Sequence, residues 1–243
     1  MACTTQQIQF FKENGFLIIK NMIEPKTLET WRNQIWSHFD SCLETPETWP
    51  NDRQINDFKF DHPENAFGRL PQIGSVVAQL SGGEFANADG SPLFIWPSPP
   101  GTEWIFPHTR HVDGWGTSWY PFMLGVTTYL YDVESRGGGF AYWPRSHLTT
   151  HSYFLEDPAR IDGRFKEEEG WSNMVFSDRA PEGPREFTGR AGDVIFWHSF
   201  LVHSASINVR SEPRFAMLVR FTHIHQEEIK YDVPDNLWKY WAI

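Results

Sequence analysis

Gly192-Asp193-Val194-Ile195-Phe196-Trp197-His198-Ser199-Phe200-Leu201-Val202-His203 is the stretch on which the reading of this chain turns. Gly192-Asp193 reads as a turn, the apolar run behind it as a buried strand, and His203 as the point where that strand reaches the rim of a fold. Eleven residues on, Arg214 opens a second strand of clear alternation. Phe215, Met217, Val219 and Phe221 share one face, and Arg214, Ala216, Leu218 and Arg220 share the other. Upstream, His111 and Asp113 stand two apart, so on an extended strand both side chains leave the same face and can close on one ion. With His203 as third ligand they make the two-histidine, one-carboxylate facial set that holds ferrous iron and keeps other positions open. The same three groups also suit zinc with a bound water.

The ordered set is more specific than any one of its parts. His111-Val112-Asp113, then Gly192-Asp193 leading to His203, then Asn208 and Arg214, resembles the phytanoyl-CoA dioxygenase family of iron(II)- and 2-oxoglutarate-dependent oxygenases. Gly138-Gly139 followed by Pro144-Arg145-Ser146-His147 resembles a glycine and P-G-S-H segment of that family, with Arg145 where glycine is usual. The opening Phe10-Phe11-Lys12-Glu13-Asn14-Gly15-Phe16-Leu17-Ile18-Ile19 is similar to its first helix and strand, so the resemblance covers nearly the whole chain.

The resemblance implies a mainly β fold, a double-stranded β-helix (a cupin-like jelly-roll) with N-terminal helices on one outer face and the metal at the open mouth. It implies that His111, Asp113 and His203 hold Fe(II), that 2-oxoglutarate and O2 are the cosubstrates, and that Arg214 clamps the far carboxylate of 2-oxoglutarate. Arg214 argues against zinc, because a hydrolytic site has no evident need for an arginine at that offset. Asp113 argues for hydroxylation, since related iron halogenases carry a small residue there. Desaturation, ring rearrangement or epimerisation stay open, as does a jelly-roll sensor that keeps the metal without turnover. Family members often carry Trp beside 2-oxoglutarate where this chain reads Val126-Thr127-Thr128-Tyr129, so Thr127 or Tyr129 is expected to take over that contact. Some members place a serine two residues after the distal histidine, where Ala205 stands here, with Ser204 and Ser206 as substitutes.

A formal charge of −10 and a pI of about 5.4 argue against nucleic acid and anionic membrane as partners. Two cysteines, Cys3 and Cys42, are too few for a disulfide framework, and the start of the chain lacks the basic and apolar regions of a signal peptide. A cytoplasmic protein is the expectation. No basic cluster suits a CoA phosphate, so a compact small-molecule substrate, aromatic or acidic, is favoured. Arg69, Arg110 and Arg145 are candidate acid contacts, but each reads first as a solvated surface charge. Twelve tryptophans stand out, and Trp96, Trp104, Trp115 and Trp119 crowd around the His-x-Asp, either as core or as pocket wall.

In chain order, a helix is expected from Thr4 to Asn14 with Gly15 as its stop, a strand from Phe16 to Lys20, and a helix from Pro25 to about Asp40 lying on the Phe215/Met217/Val219/Phe221 face. A helix over Pro71 to Leu80, strands over Leu93 to Trp96 and Glu103 to Phe106, and a hairpin of Met123 to Asp132 with Phe140 to Trp143 follow. Met123 to Asp132 reads as the longest strand. The whole is a single domain over 1–243, with helical support over about 1–80, a jelly-roll core over about 93–223, and a lid in the charged connection 151–189. His223-Ile224-His225 forms a second histidine pair without a third ligand, and His198 reads as a buried structural histidine. His108 and His147 are candidate substrate contacts.

Overall fold

Thr4 starts the first helix with a capping box: its Oγ1 accepts from Gln7 N while the Gln7 side chain accepts from Thr4 N. Helix α1 (Thr5–Asn14) ends at Gly15, which takes the left-handed conformation at φ 78°. Strand β1 (Phe16–Ile19) and helix α2 (Pro25–Phe39, with Pro25 in its first turn) follow, then α3 (Pro71–Ser81). The computed structural model describes residues 2–55, 57–107, 110–113, 122–162 and 178–243. The remaining strands are β2 (Ser91–Ile95), β3 (Leu124–Tyr129), β4 (Phe140–Tyr142), β5 (Arg185–Phe187), β6 (Val194–His198), β7 (His203–Ala205) and β8 (Arg214–Phe221). Helix α4 (Ser146–Glu156) lies between β4 and β5, and the short α5 (Gln226–Ile229) follows β8.

The strands form two antiparallel sheets, a larger one in the order β1-β6-β3-β8-β2 and a smaller one in the order β5-β4-β7. Alternation on β8 decides which layer covers which face. Phe215, Met217, Val219 and Phe221 pack with Leu28, Trp31, Ile35 and Trp36 of α2 and with Ile73, Val76, Val77 and Leu80 of α3. The helices therefore lie on the outer face of the larger sheet, as the periodicity of α2 predicts. The opposite face, with Tyr129, Ile195, Trp197 and Ala216, meets Phe140, Tyr142 and Phe187 of the smaller sheet. Two sheets packed face to face under a helical layer make a double-stranded β-helix.

The turn before β6 is built by two residues. Gly192 has φ 87°, and a Cβ there would lie 2.5 Å from Ile23 O, so only glycine fits. Asp193 is buried, and its carboxylate accepts from Asn21 N (2.9 Å), Lys20 Nζ (2.8 Å) and Arg190 N (3.0 Å). The turn is thereby tied to the end of β1, which holds β1 and β6 in register.

Three expectations are corrected. Met123 to Asp132 is not the longest strand: β3 has six residues and β8 eight. β3 and β4 do not pair as a hairpin, because β3 lies between β6 and β8 while β4 lies between β5 and β7 in the other sheet. The glycine turn at Gly137-Gly138-Gly139 carries the chain across the sandwich rather than back along it. Glu103 to Phe106 is not a strand. The connection 151–189 is in part regular, since α4 runs to Glu156, a 3-10 turn covers Pro158–Asp162, and β5 lies at Arg185–Phe187. Residues 163–177 of the expected lid lie outside the described residues.

Candidate active site

His203 opens β7, and its backbone exchanges two hydrogen bonds of 2.9 Å with His111, so the two histidines face each other across one antiparallel bridge. His111 is thus extended only at that bridge, and the chain turns at Asp113 rather than continuing as the strand the spacing suggests. The three side chains still converge: His111 Nε2 lies 2.9 Å from Asp113 Oδ1, and His203 Nε2 lies 3.6 Å from Asp113 Oδ2. One ligand atom from each lies within 4.8 Å of the others, the only such group among the described residues.

Several features fit this set to a metal. His203 Nδ1 sits 2.9 Å from Leu201 O, and facing a carbonyl it can only donate, which leaves the Nε2 lone pair turned toward Asp113 and His111. Burial pushes the Asp113 carboxyl up, but His203, His111 and Arg220 together outweigh burial and hold it well below the usual carboxylate range. Burial lowers His203 despite the opposing pull of Asp113, so its imidazole is held neutral, the form that ligates. Phe140 stacks on the His203 ring at 5.2 Å and Trp197 lies against it at 4.3 Å, which fixes its orientation.

His111, His203, Arg214 and Arg220 line a cavity of about 120 Å³, together with Thr127, Phe140, Trp197 and Leu218. Arg214 and Arg220 are six residues apart on one face of β8, about 20 Å along a strand, so they mark different ends of it. Arg214 is buried, its Nε donating to Gly138 O at 2.8 Å and its Nη1 reaching Leu93 O at 3.4 Å. Among the described residues no carboxylate pairs with it. Glu186, the nearby acid, is spent on the backbone N–H groups of Arg136 and Gly139. Burial lowers the Arg214 pKa, with Tyr129 and Glu186 opposing. A buried guanidinium whose hydrogen bonds among the described residues go to carbonyls carries a charge that an anion would offset.

Thr127 and Tyr129 are placed differently. Thr127 lines the cavity, and its Oγ1 accepts weakly from Trp197 Nε1 at 3.4 Å, leaving its hydroxyl proton available to an acceptor in the cavity. The Tyr129 hydroxyl donates to Phe187 O at 2.9 Å and accepts from Phe140 N at 2.7 Å. Its ring packs 5.9 Å from the Arg214 guanidinium, as a support beside the arginine. Burial pushes the Tyr129 phenol far up, so it stays protonated. Ser204 and Ala205 line the cavity, while Ser206 Oγ is buried without a partner among the described residues. Asn208 braces the approach to β8: its Nδ2 donates to Glu212 O at 2.7 Å and its Oδ1 accepts from Arg210 N at 2.9 Å.

Other candidates lie away from the cavity. Trp96 packs among Trp36, Trp49, Phe94 and Phe215 in the helix-side core, and Trp104 lies against Phe106. Trp115, Trp119 and His108 lie outside the described residues. His147 donates to Lys12 O at 3.0 Å, His198 stacks on Trp241 at 5.2 Å, and neither lines the cavity. His223 and His225 bond to one another through His225 N and His223 Nδ1. Arg69 pairs with Asp89, Arg110 with Asp178, and Arg145 occupies the left-handed turn before α4. The residue sequence reasoning passed over is Arg220, which grips Asp113 through Nε at 2.7 Å and Nη2 at 2.5 Å. Its signal was present in the alternation, as an arginine on the inward face of a buried strand.

A double-stranded β-helix with two imidazoles and a carboxylate beside a cavity that holds a buried, carboxylate-free arginine is the architecture of a mononuclear non-haem oxygenase. Comparison with known proteins agrees. The family model for phytanoyl-CoA dioxygenase (PhyH) matches residues 11–216, and the chain belongs to that family of iron(II)- and 2-oxoglutarate-dependent dioxygenases. Peroxisomal phytanoyl-CoA dioxygenase of Mus musculus is 24% identical over 246 residues, covering 90% of this chain and 68% of the mouse protein. L-proline trans-4-hydroxylase of Streptomyces griseoviridis is 25% identical over 180 residues, covering 64% of this chain and 61% of its own length. The non-heme alpha ketoglutarate dependent carbocyclase SnoK from nogalamycin biosynthesis shares the fold, with a TM-score of 0.63 at 20% identity over 96% of this chain and 93% of SnoK. Among the described residues no helix is long and apolar enough to cross a membrane.

Proposed function

We propose that this chain hydroxylates a small organic metabolite, converting 2-oxoglutarate to succinate and CO2 in the same cycle. The observation that carries the proposal is Arg214, a buried cation without a carboxylate partner among the described residues, in the same cavity as the three-donor set. His111, Asp113 and His203 are the groups that would hold the iron, which when bound supplies the activation of dioxygen needed to oxidise a C–H bond. Arg214 receives the distal carboxylate of 2-oxoglutarate, and its bonds to Gly138 O and Leu93 O keep the guanidinium aimed while it waits. Thr127 donates its hydroxyl proton to the same carboxylate. Tyr129 acts through Arg214, packing beside it with its own hydroxyl tied to the smaller sheet. Phe140 and Trp197 exclude water from the cavity wall next to His203.

A small substrate is favoured because the two arginines of the cavity are already committed, Arg220 to Asp113 and Arg214 to the cosubstrate, and by relatives such as the proline hydroxylase. The shared fold with a carbocyclase keeps ring closure within reach of the scaffold. Cys3 and Cys42 stand unpaired, which supports a reducing compartment, read here as the cytoplasm. The test is succinate release by purified protein with Fe(II), ascorbate, oxygen and a panel of small acids, amino acids and aromatic metabolites, with products read by mass. A product heavier by one oxygen atom supports hydroxylation, and a product lighter by two hydrogens overturns it in favour of ring closure or desaturation. Failure to bind 2-oxoglutarate at millimolar concentration contradicts the whole assignment.

A further inference from the structure

Arg220 approaches Asp113 from one side only. Its Nε and Nη2 both donate to the same oxygen, Oδ2, while Oδ1 is left facing His111 Nε2 at 2.9 Å. Two charge-assisted bonds use the two lone pairs of Oδ2, so that oxygen has little left to offer a metal. We propose that Arg220 is a positioning residue that holds Asp113 as a one-oxygen ligand through Oδ1, keeping open a coordination position that a chelating carboxylate would fill.

The inference rests on the functional reading above, because the count of open positions is what gives it a consequence. Aspartate can bind a cation through one oxygen or through both. In a six-position site, two histidines and a one-oxygen aspartate leave three positions, which a cosubstrate bound at two points and dioxygen would use completely. Aspartate bound through both oxygens leaves two, and one reactant is shut out. The grip on Oδ2 is built into the fold. Arg220 lies on β8 opposite Gly125 of β3, its guanidinium lies 5.5 Å from the Phe122 ring, and Asp113 itself is buried. A lysine could reach Oδ2 with a single point charge but could not reproduce the paired Nε and Nη2 contact.

Arg220 also draws electron density from the carboxylate, which weakens Asp113 as a donor. Its removal therefore has effects of opposite sign: metal binding holds or tightens as Oδ2 joins in, while 2-oxoglutarate binding weakens as its second position is taken. A role confined to scaffolding would weaken both.

The experiment compares the wild-type chain with Arg220→Gln and Arg220→Lys, using Mn(II) as a redox-stable probe. Free Mn(II) is read by electron paramagnetic resonance, and 2-oxoglutarate is then titrated calorimetrically into the Mn(II)-loaded proteins. Arg220→Gln is expected to bind Mn(II) at least as tightly as wild type and 2-oxoglutarate about tenfold more weakly, with Arg220→Lys between the two. Crystal structures of the Mn(II) forms should show Asp113 bound through one oxygen in the wild type and through both in Arg220→Gln. Unchanged 2-oxoglutarate binding in Arg220→Gln, parallel loss of Mn(II) and 2-oxoglutarate, or two-oxygen coordination in the wild type would each overturn the proposal. Should Arg220→Gln not fold, Arg220→Lys and the wild-type Mn(II) structure carry the test. A wild-type protein that ignores 2-oxoglutarate sinks the functional reading instead, and the number of Asp113 oxygens on Mn(II) is read without any cosubstrate.

Discussion

Gly125 and Trp197 face each other across the pairing of β3 with β6, and the indole occupies the space that a side chain at position 125 would need. A Cβ on Gly125 would fall 2.1 Å from Trp197 Cε2 and 2.2 Å from Cζ2. The same indole lies against His203 at 4.3 Å and reaches Thr127 Oγ1 at 3.4 Å. One missing methyl thus sets the wall between the metal donors and the groups around Arg214. Gly125→Ala should push Trp197 toward His203, cost about 1 to 3 kcal/mol of stability and weaken metal binding. Thermal unfolding and a Mn(II) titration check this, and unchanged values in both would show that the indole has room to move.

Asp193 serves three donors from inside the fold. Asp193→Ala would leave Asn21 N, Arg190 N and the Lys20 ammonium without their acceptor, at a cost of about 3 kcal/mol or more. Asn21 holds φ 51°, a left-handed conformation that this contact helps to maintain. Urea unfolding is the measurement, and a loss under about 1 kcal/mol would mean that water replaces the carboxylate at little cost.

Arg145 explains a departure in the Pro-Arg-Ser-His segment. It stands at φ 65°, where glycine is at ease and arginine is not, and its N–H bonds to Asn14 O while the next residue, Ser146, accepts from Val202 N at 2.8 Å. Arg145→Gly is expected to leave activity unchanged and to raise stability by about 1 kcal/mol. A fall in the unfolding midpoint would show that the arginine side chain contributes more than its backbone strain removes.

Two buried histidines set an acid limit. Burial lowers His147 to about 4 from its ordinary 6.5, and burial with the nearby charge of His147 holds His198 well below its own ordinary value. Below pH 6.5 the unfolded chain takes up protons that the folded chain refuses. Stability is therefore complete above that pH and is lost as pH falls toward 4, with His147 alone accounting for about 3 kcal/mol. His147→Gln should flatten the pH dependence of the urea midpoint between pH 7 and pH 4. A profile as steep as that of the wild type would remove His147 from this role.

What was legible in the chain was what periodicity and spacing encode. The alternation of Phe215, Met217, Val219 and Phe221 announced which face α2 would cover, and the resemblance singled out Arg214, which the fold buries in the wall of the cavity that His203 also lines. What was not legible was partner choice. An apolar run before a glycine turn looks the same whether the next strand folds back beside it or crosses to the facing sheet, which is why β3 and β4 were expected to pair. Glu103 to Phe106 has the residue types of a strand but, among the described residues, no neighbouring strand completes a ladder with it. Arg220 was on the correct face by alternation, yet its partner Asp113 lies 107 residues away, a contact only the folded topology reveals.

The central claim is that the anion expected by Arg214 is 2-oxoglutarate, held beside a metal bound by His111, Asp113 and His203. The most direct measurement is anaerobic titration of 2-oxoglutarate into the Fe(II)-loaded wild type and into Arg214→Ala, following the visible charge-transfer band of the complex, with Mn(II) affinity measured in parallel. The account predicts a saturable band in the wild type, a requirement for 2-oxoglutarate raised at least about tenfold in Arg214→Ala, corresponding to the loss of ~1.5 to 3 kcal/mol from a charge-assisted contact, and unaltered Mn(II) binding. Equal 2-oxoglutarate requirements in the two proteins, or no band in the wild type, would contradict it.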